Sequence, residues 1–217
     1  RRLLPLGAAA RAQVARWFCN SDVDWSMTFA RAIKRAQLPR DELFICGSVV
    51  SNRADTFSRA YELTKRGCQQ NVEAFAVGGI KTLDMIMLDY PALTCDAIRG
   101  QWSAFEEMKA AGLVRTLAVS NFSPSQLDCI LGVKGATPPL VNLGGGFGLA
   151  YFPGDTPLDI RPVGVALGRA LESRPPILAG SRFALELGRW LVGEAGVYLT
   201  RVVDVKDSQG ERFVVVA

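Results

Sequence analysis

Histidine is absent from this 217-residue sequence, and its absence excludes several kinds of active site. Imidazole is the usual general base near neutral pH and the commonest side-chain ligand of protein-bound transition metals. Catalysis by Ser-His-Asp or Cys-His groups is therefore excluded, as is any metal site that uses histidine. We expect no metal site.

Strong charge and long apolar runs are also lacking. The longest uncharged stretch, residues 135–154, contains Pro138, Pro139 and a triple glycine, which a membrane helix does not accommodate. The net charge is only +4, and no stripe of Lys and Arg is interleaved with aromatic residues. We therefore expect a globular chain with neither membrane nor nucleic-acid partners. The sequence does not indicate its oligomeric state.

The five cysteines are odd in number and unclustered, which favours neither a disulfide framework nor paired-cysteine zinc binding. We expect reduced thiols and a cytoplasmic location. Residues 1–21 hold four arginines and no acid, so targeting to an organelle is the alternative. The chain starts without methionine and stops inside an apolar β-type run, which suggests a fragment or an interrupted gene.

Short apolar segments alternate with amphipathic helical segments along most of the chain. We predict strands at residues 43–50, 85–88, 113–119, 140–143 and 183–185, and helices at 56–66, 97–111 and 124–131. This alternation predicts an α/β fold, an incomplete (β/α) TIM-type barrel with its chemistry at the carboxyl ends of the strands. Residues 196–204 and 212–216, separated by a polar turn, predict a C-terminal β-hairpin from a second β domain.

Several strings between residues 31 and 142 resemble the aldo-keto reductases. They are PRDELFI at 39–45, WSAFEEMKAAGLVR at 102–115 and LAVSNFS at 117–123. The resemblance implies a (β/α)8 barrel that reduces carbonyls with NADPH. In that family a Ser-Asn pair after a strand contacts the nicotinamide carboxamide, which assigns cofactor binding to Ser120 and Asn121. Ser and Asn are also ordinary residues at the start of a helix.

The residues that reduce the carbonyl in that family have no counterparts here. The family uses a Tyr whose pKa is lowered by a Lys, with a His that orients the substrate. Ser48 stands at the Lys position and Asp89 at the His position, and the first tyrosine of the chain is Tyr61. A hydroxyl does not lower the pKa of a phenol as an ammonium does. We assign no catalytic residue.

Beyond about residue 140 the sequence resembles a different family, the alanine-racemase-like, fold type III decarboxylases that use pyridoxal phosphate. The strings are LGGGFGLAYFPG at 143–154, LELGR at 185–189 and EAGVY at 194–198. Consecutive glycines let backbone N–H groups approach an anion. The resemblance assigns the cofactor phosphate to Gly144, Gly145, Gly146, Gly188 and Arg189, and the pyridine nitrogen to Glu186.

The decarboxylase family also forms a Schiff base on a lysine far upstream of its glycine loop, and no lysine here matches that position. We therefore predict a reductase-like part at residues 1–142 and a decarboxylase-like part at 143–217. By descent this is an NADPH-dependent oxidoreductase fused to part of an amino-acid decarboxylase, with both centres incomplete and inactive. A substrate would be a small carbonyl compound or an amino acid. The alternatives are a decarboxylase fragment and a non-enzymatic pseudoenzyme or chimeric gene product.

Overall fold

The computed structural model describes residues 16–20, 23–193, 196–197 and 199–217. Most of the basic N-terminal segment, and Glu194, Ala195 and Tyr198 of the EAGVY string, lie outside the described residues. The strands are β1 Arg16–Asn20, β2 Leu43–Val49, β3 Leu83–Leu88, β4 Val114–Val119, β5 Leu140–Gly145, β6 Arg182–Glu186, β7 Val202–Ser208 and β8 Glu211–Val216. The helices are α1 Val23–Arg35, α2 Phe57–Ala76, α3 Cys95–Ala110, α4 Pro124–Leu131, α5 Ile160–Glu172 and α6 Gly188–Val192.

Strands β1 to β6 form one sheet in the order in which they occur along the chain. The pairs from β1 to β5 are parallel, with Cys46 opposite Met85, Met85 opposite Thr116 and Ala118 opposite Leu140. A helix follows each of the strands β1 to β4 and packs back toward the sheet. This arrangement confirms the predicted α/β class, while closure into a barrel stays a prediction.

The predicted hairpin is present as a separate two-stranded sheet. Strands β7 and β8 pair antiparallel, with Ser208 opposite Glu211. The two residues between them, Gln209 and Gly210, have φ values of 54° and 83°. Positive φ at both central residues is the geometry of the two-residue turn that matches strand twist. The turn is therefore shorter than the polar segment predicted from sequence, and β7 continues to Ser208.

The chain divides into two compact units. Among the described residues, one unit consists of those up to residue 144 together with 168–185, and the other consists of 145–167 together with those from residue 186 onward. The predicted boundary after Asn142 stays a prediction. No helix among the described residues has the length and apolar character needed to cross a membrane.

The core of the first unit lies on both faces of the sheet. All six residues of β3 are buried, as expected for a central strand in a parallel sheet. On the helix-covered face, Ile86 and Leu88 belong to a large cluster that includes Phe105 of α3. On the opposite face, Met85 and Met87 pack in a smaller cluster. Successive side chains of β3 point to opposite faces of the sheet, so this strand contributes to the core on both faces.

Helix α2 extends ten residues beyond its predicted end at residue 66. Two polar residues, Thr64 and Asn71, are buried in this helix and interrupt the apolar pattern by which its length would be predicted. The Thr64 hydroxyl is 2.7 Å from the Ser51 hydroxyl, and Asn71 donates to the carbonyl oxygens of Ser48 and Gly67. These polar side chains are satisfied internally, so they occupy core positions that sequence patterning treats as surface.

The prediction that the thiols are reduced is wrong for one pair. Cys95, at the start of α3, forms a disulfide with Cys129 in α4, and their Cα atoms are 5.3 Å apart. The packing of two consecutive helices brings together cysteines separated by 34 positions, a contact that their spacing in sequence does not reveal. Cys46 and Cys68 are buried, and the Cys68 thiol is free.

A buried carboxylate joins three strands at the amino end of the sheet. Asp84 of β3 accepts a hydrogen bond from the Ile45 backbone N–H at 2.8 Å. It also pairs with Arg40 at 2.8 Å and with Arg115 at 2.9 Å. Arg40 donates in addition to the carbonyl oxygens of Leu43 and Thr82. The partners of this carboxylate therefore lie in the two neighbouring strands and in the turn that precedes β2.

We predict that Asp84→Asn lowers the free energy of unfolding by roughly 2–3 kcal/mol, because it removes a charge that two guanidinium groups face across a buried site. Urea denaturation followed by circular dichroism measures the change. Asp41→Asn, an exposed acid just before β2, is the control and leaves the midpoint within error. An unchanged midpoint for Asp84→Asn contradicts the prediction.

We also predict that reduction of the Cys95–Cys129 disulfide lowers the free energy of unfolding by about 4 kcal/mol, since the cross-link joins residues 34 positions apart and so restricts the unfolded chain. Denaturation with and without a reductant measures the effect, and Cys95→Ser removes the difference between the two conditions. Peptide mapping without reduction that finds both thiols unpaired contradicts it.

Candidate functional site

Polar residues collect where strands β2 to β5 end. Ser48 lies near the end of β2, Asp89 follows β3, Ser120 and Asn121 follow β4, and Asn142 lies in β5. The carboxyl ends of parallel strands meet at one edge of a sheet, where α/β proteins place their binding residues. The first unit therefore has one edge at which these side chains lie close to one another.

Ser48 and Asp89 are hydrogen-bonded to each other at this edge. The Ser48 hydroxyl donates to the Asp89 carboxylate. The Ser48 backbone N–H donates to the side-chain oxygen of Asn71, and the Asp89 backbone N–H donates to the Val49 carbonyl oxygen at 3.1 Å. Ser48 is only 3% exposed. The two residues that the resemblance places at the family's Lys and His positions are thus hydrogen-bonded to each other.

Asn121 is held in an uncommon backbone conformation beside this pair. Its φ is 61°, in the left-handed region that Asn tolerates better than most residues. Its side-chain amide donates to the Asp89 carbonyl oxygen at 2.8 Å and to the Ser120 hydroxyl at 3.4 Å. Within the described residues the Asn121 amide oxygen has no hydrogen-bond donor. This oxygen is available to accept from a ligand.

A pocket of about 310 Å³ opens beside Asn121. It is lined by residues that end β4 and β5, namely Val119, Ser120, Asn121, Phe122, Val141, Asn142, Leu143 and Gly144. Ser120, Asn121 and Gly144, which sequence reasoning assigned to two different cofactors, therefore share one pocket of the first unit.

Asn142 also lines this pocket, but both ends of its side-chain amide are hydrogen-bonded within the protein, unlike the amide oxygen of Asn121. Its amide nitrogen is 3.5 Å from the Met87 sulfur, and its amide oxygen accepts from the Gly144 backbone N–H at 2.9 Å. Gly144 has a φ of 73°. The side chain of Asn142 therefore fixes the path of the glycine loop where it leaves β5.

In the second unit, the structure brings Gly145 against Glu186. A Cβ atom on Gly145 would lie 1.8 Å from the Glu186 carbonyl oxygen, so only glycine fits. A Cβ atom on Gly146 or Gly188 would meet nothing within 4 Å. The space beside these two glycines, where a side chain would stand, is therefore open to a ligand. The Glu186 side chain is exposed and has no polar partner among the described residues.

Arg189 is oriented by a residue that sequence reasoning missed. Its guanidinium donates to the Tyr151 hydroxyl at 2.7 Å and lies 6.0 Å from the centre of that ring. The Asp155 carboxylate accepts from the backbone N–H groups of Phe152 and Tyr151, and these bonds, that of Phe152 first, hold the pKa of Asp155 below its ordinary value. The FPGD segment thus forms a turn that positions Tyr151 beside Arg189.

Sequence patterning alone offered no signal for the Ser48–Asp89 and Tyr151–Arg189 contacts, because each joins residues about 40 positions apart. The resemblance did place Ser48 and Asp89 at two neighbouring catalytic positions. Their proximity could have been expected from it, whereas Tyr151 had no assigned role.

Comparison with known proteins agrees with the first resemblance. The profile of the aldo/keto reductase family matches residues 26–143, more than half of the chain. An aldo-keto reductase of Mycolicibacterium vanbaalenii is 26% identical over 151 residues, which cover 70% of this chain and 49% of that protein. A reductase structure from Brucella melitensis superimposes with a TM-score of 0.46 at 22% identity, covering 55% of this chain and 44% of that one.

A shorter match falls in another class of enzyme. An L-glutamyl acyl-carrier protein decarboxylase of Niallia circulans is 42% identical over 80 residues, covering 35% of this chain and 18% of that protein. The chain thus spans about half the length of the curated reductase and under a fifth of the decarboxylase.

Proposed function

The chain belongs to the aldo/keto reductase family through residues 26–143, and from that membership we propose that its first unit binds a nicotinamide nucleotide without reducing a carbonyl. The observation that carries the proposal is the pocket at the ends of β4 and β5, where Asn121 keeps an unused acceptor oxygen. A carboxamide N–H₂ group is a donor that suits this oxygen.

The residues of this pocket fit a nicotinamide carboxamide. The Asn121 amide nitrogen is held by the Asp89 carbonyl oxygen, which leaves the amide oxygen oriented and free. The Ser120 hydroxyl lines the same pocket and supplies a second polar contact. NADPH supplies a hydride when it is bound to a reductase. The residues named here would only hold and orient its nicotinamide ring.

The Ser48–Asp89 pair argues against carbonyl reduction. Proton donation by a phenol near neutral pH needs a nearby positive charge that lowers its pKa. Ser48 brings no charge, and its hydroxyl is committed to a carboxylate. The negative charge of Asp89 would raise the pKa of a nearby phenol. The Ser48–Asp89 pair would therefore link two strands at the edge of the sheet, and it would not assist proton transfer to a carbonyl.

A second function is proposed for the second unit, which we infer binds the phosphate of pyridoxal phosphate through Gly146, Gly188 and Arg189. The open space beside the two glycines and the oriented guanidinium support it. The identity to a decarboxylase over 80 residues supports the same assignment. When bound, this cofactor acts as an electron sink. Glu186 would contact its ring nitrogen, and Gly145 would complete the phosphate loop. Gly144 is left out of this site, because it belongs to the first unit and its N–H donates to Asn142.

We predict that NADPH binds the chain and that Asn121→Gly weakens binding about five- to tenfold, because one oriented hydrogen bond is lost. Glycine is the suitable substitution, since it adopts the positive φ without strain. Cofactor fluorescence measures the affinity, and Gln69→Ala on the exposed face of α2 is the control. Failure of the wild-type chain to bind, or equal binding by Asn121→Gly, contradicts the proposal.

An activity assay on the same protein tests the proposal that the chain does not reduce carbonyls. NADPH with a small aldehyde should be oxidised no faster in the presence of the chain than in buffer. A rate above buffer that falls in Asn121→Gly would show that the Ser48–Asp89 pair permits turnover, and would overturn this part of the proposal while leaving cofactor binding intact.

We predict that Arg189→Ala reduces pyridoxal phosphate binding at least tenfold, because a charged hydrogen bond to phosphate is lost. Absorbance of the retained cofactor after gel filtration measures it. Arg189→Lys keeps the charge and retains part of the affinity, and Arg201→Ala, an exposed arginine of the same unit, is the control. Binding that does not change in Arg189→Ala contradicts the site.

A further inference from the structure

A second pocket of the first unit lies where β2 leads into α2. Its volume is about 620 Å³, within the range of small-molecule sites. It lies at the same edge of the sheet as the Ser48–Asp89 pair, but it shares no lining residue with the pocket beside Asn121. Neither resemblance assigns it a ligand.

The lining of this pocket is positively charged. It includes Arg53, from the loop after β2, and Arg66, from α2, and it includes no aspartate or glutamate. Both side chains are exposed, and within the part of the chain that the structure describes neither guanidinium forms a hydrogen bond or an ion pair. By contrast, Arg40 and Arg115 are both paired with Asp84. Two unpaired guanidinium groups at one pocket favour an anion between them.

Neutral donors lie beside the two arginines. The side-chain amides of Asn52 and Gln70 line the pocket and have no polar partner among the described residues. An amide N–H₂ group donates to carboxylate or phosphate oxygen as readily as a backbone N–H does. The free polar groups of the lining therefore include four side chains that can donate to one anionic group.

The inner wall of the pocket is rigid. Asn71 accepts from the Ser48 backbone N–H and donates to the Ser48 carbonyl oxygen. The Ser51 hydroxyl is bonded to Thr64 and accepts from the buried Gln101 amide at 2.8 Å. The Asp89 carboxylate accepts from the hydroxyl of Ser48, which lines the pocket. The wall is thus fixed by internal bonds, while the donors at the rim are unused.

We propose that this pocket binds the anionic group of a small molecule, a carboxylate or a phosphate, with Arg53 and Arg66 as its charged ligands. The guanidinium groups would each donate to the anion, and Asn52 and Gln70 would complete its contacts. The position of the pocket at the functional edge of the sheet suits a ligand held near the Ser48–Asp89 pair. The inference does not depend on nucleotide binding, because it concerns a separate set of residues.

Titration of the chain with inorganic phosphate and with succinate, each followed by calorimetry at constant ionic strength in sodium chloride, tests the proposal. We expect saturable binding of at least one anion, weakened about tenfold or more in both Arg53→Gln and Arg66→Gln. Arg59→Gln, an exposed arginine of α2 outside the lining, should bind as the wild type does. Binding of phosphate alone identifies a phosphate ligand, and binding of succinate alone identifies a carboxylate.

Two results would overturn the proposal. One is that the wild-type chain binds neither anion above the sodium chloride background. The other is that both glutamine variants bind with wild-type affinity. Arg66→Lys separates charge from geometry, because it keeps the positive charge while losing the planar fork of donors. Circular dichroism of each variant confirms that a lost signal reflects the pocket and not unfolding.

Discussion

The buried carboxylate of Asp84 is the constraint on which the central sheet depends. A carboxylate in this position is tolerated only because two guanidinium groups and a backbone N–H face it. Its partners belong to β2, to β4 and to the turn that precedes β2, so one side chain fixes the relative positions of three strands. The same strands are joined at their opposite ends by Ser48, Asp89 and Asn121. Because these interactions hold the strands at both ends, β3 can pair with its neighbours in only one register, the one that buries its apolar side chains.

The two ends of the sheet therefore differ in kind. At the amino end, the Asp84 carboxylate and the guanidinium groups of Arg40 and Arg115 are paired with one another. At the carboxyl end the internal bonds hold the wall of the site and leave donors and acceptors at its rim, among them the Asn121 amide oxygen and the guanidinium groups of Arg53 and Arg66. This difference follows from the direction of parallel strands, whose carboxyl ends lead into the loops that face a ligand. Ser48, Asp89 and Asn121 join the ends of β2, β3 and β4 at this edge.

Much of the fold could be predicted from periodicity. The α4 bounds agree with the structure, and the strands at 43–50 and 113–119 differ by one residue. The end of α2 could not be predicted, because Thr64 and Asn71 interrupt the apolar pattern and are satisfied by partners far away in sequence. For the site, the motif LAVSNFS placed Ser120 and Asn121 after a strand, where they are found. Neither the disulfide nor the Tyr151–Arg189 contact could be predicted, since each depends on how separate elements pack.

The buried thiol of Cys68 can report on opening of the core. Cys68 packs on the helix-covered face of the sheet, and burial raises the pKa of its thiol to about 12. A thiol reagent in solution reacts with such a group only when the surrounding layer separates. The rate at which Cys68 is modified would therefore report how often α2 moves away from the sheet.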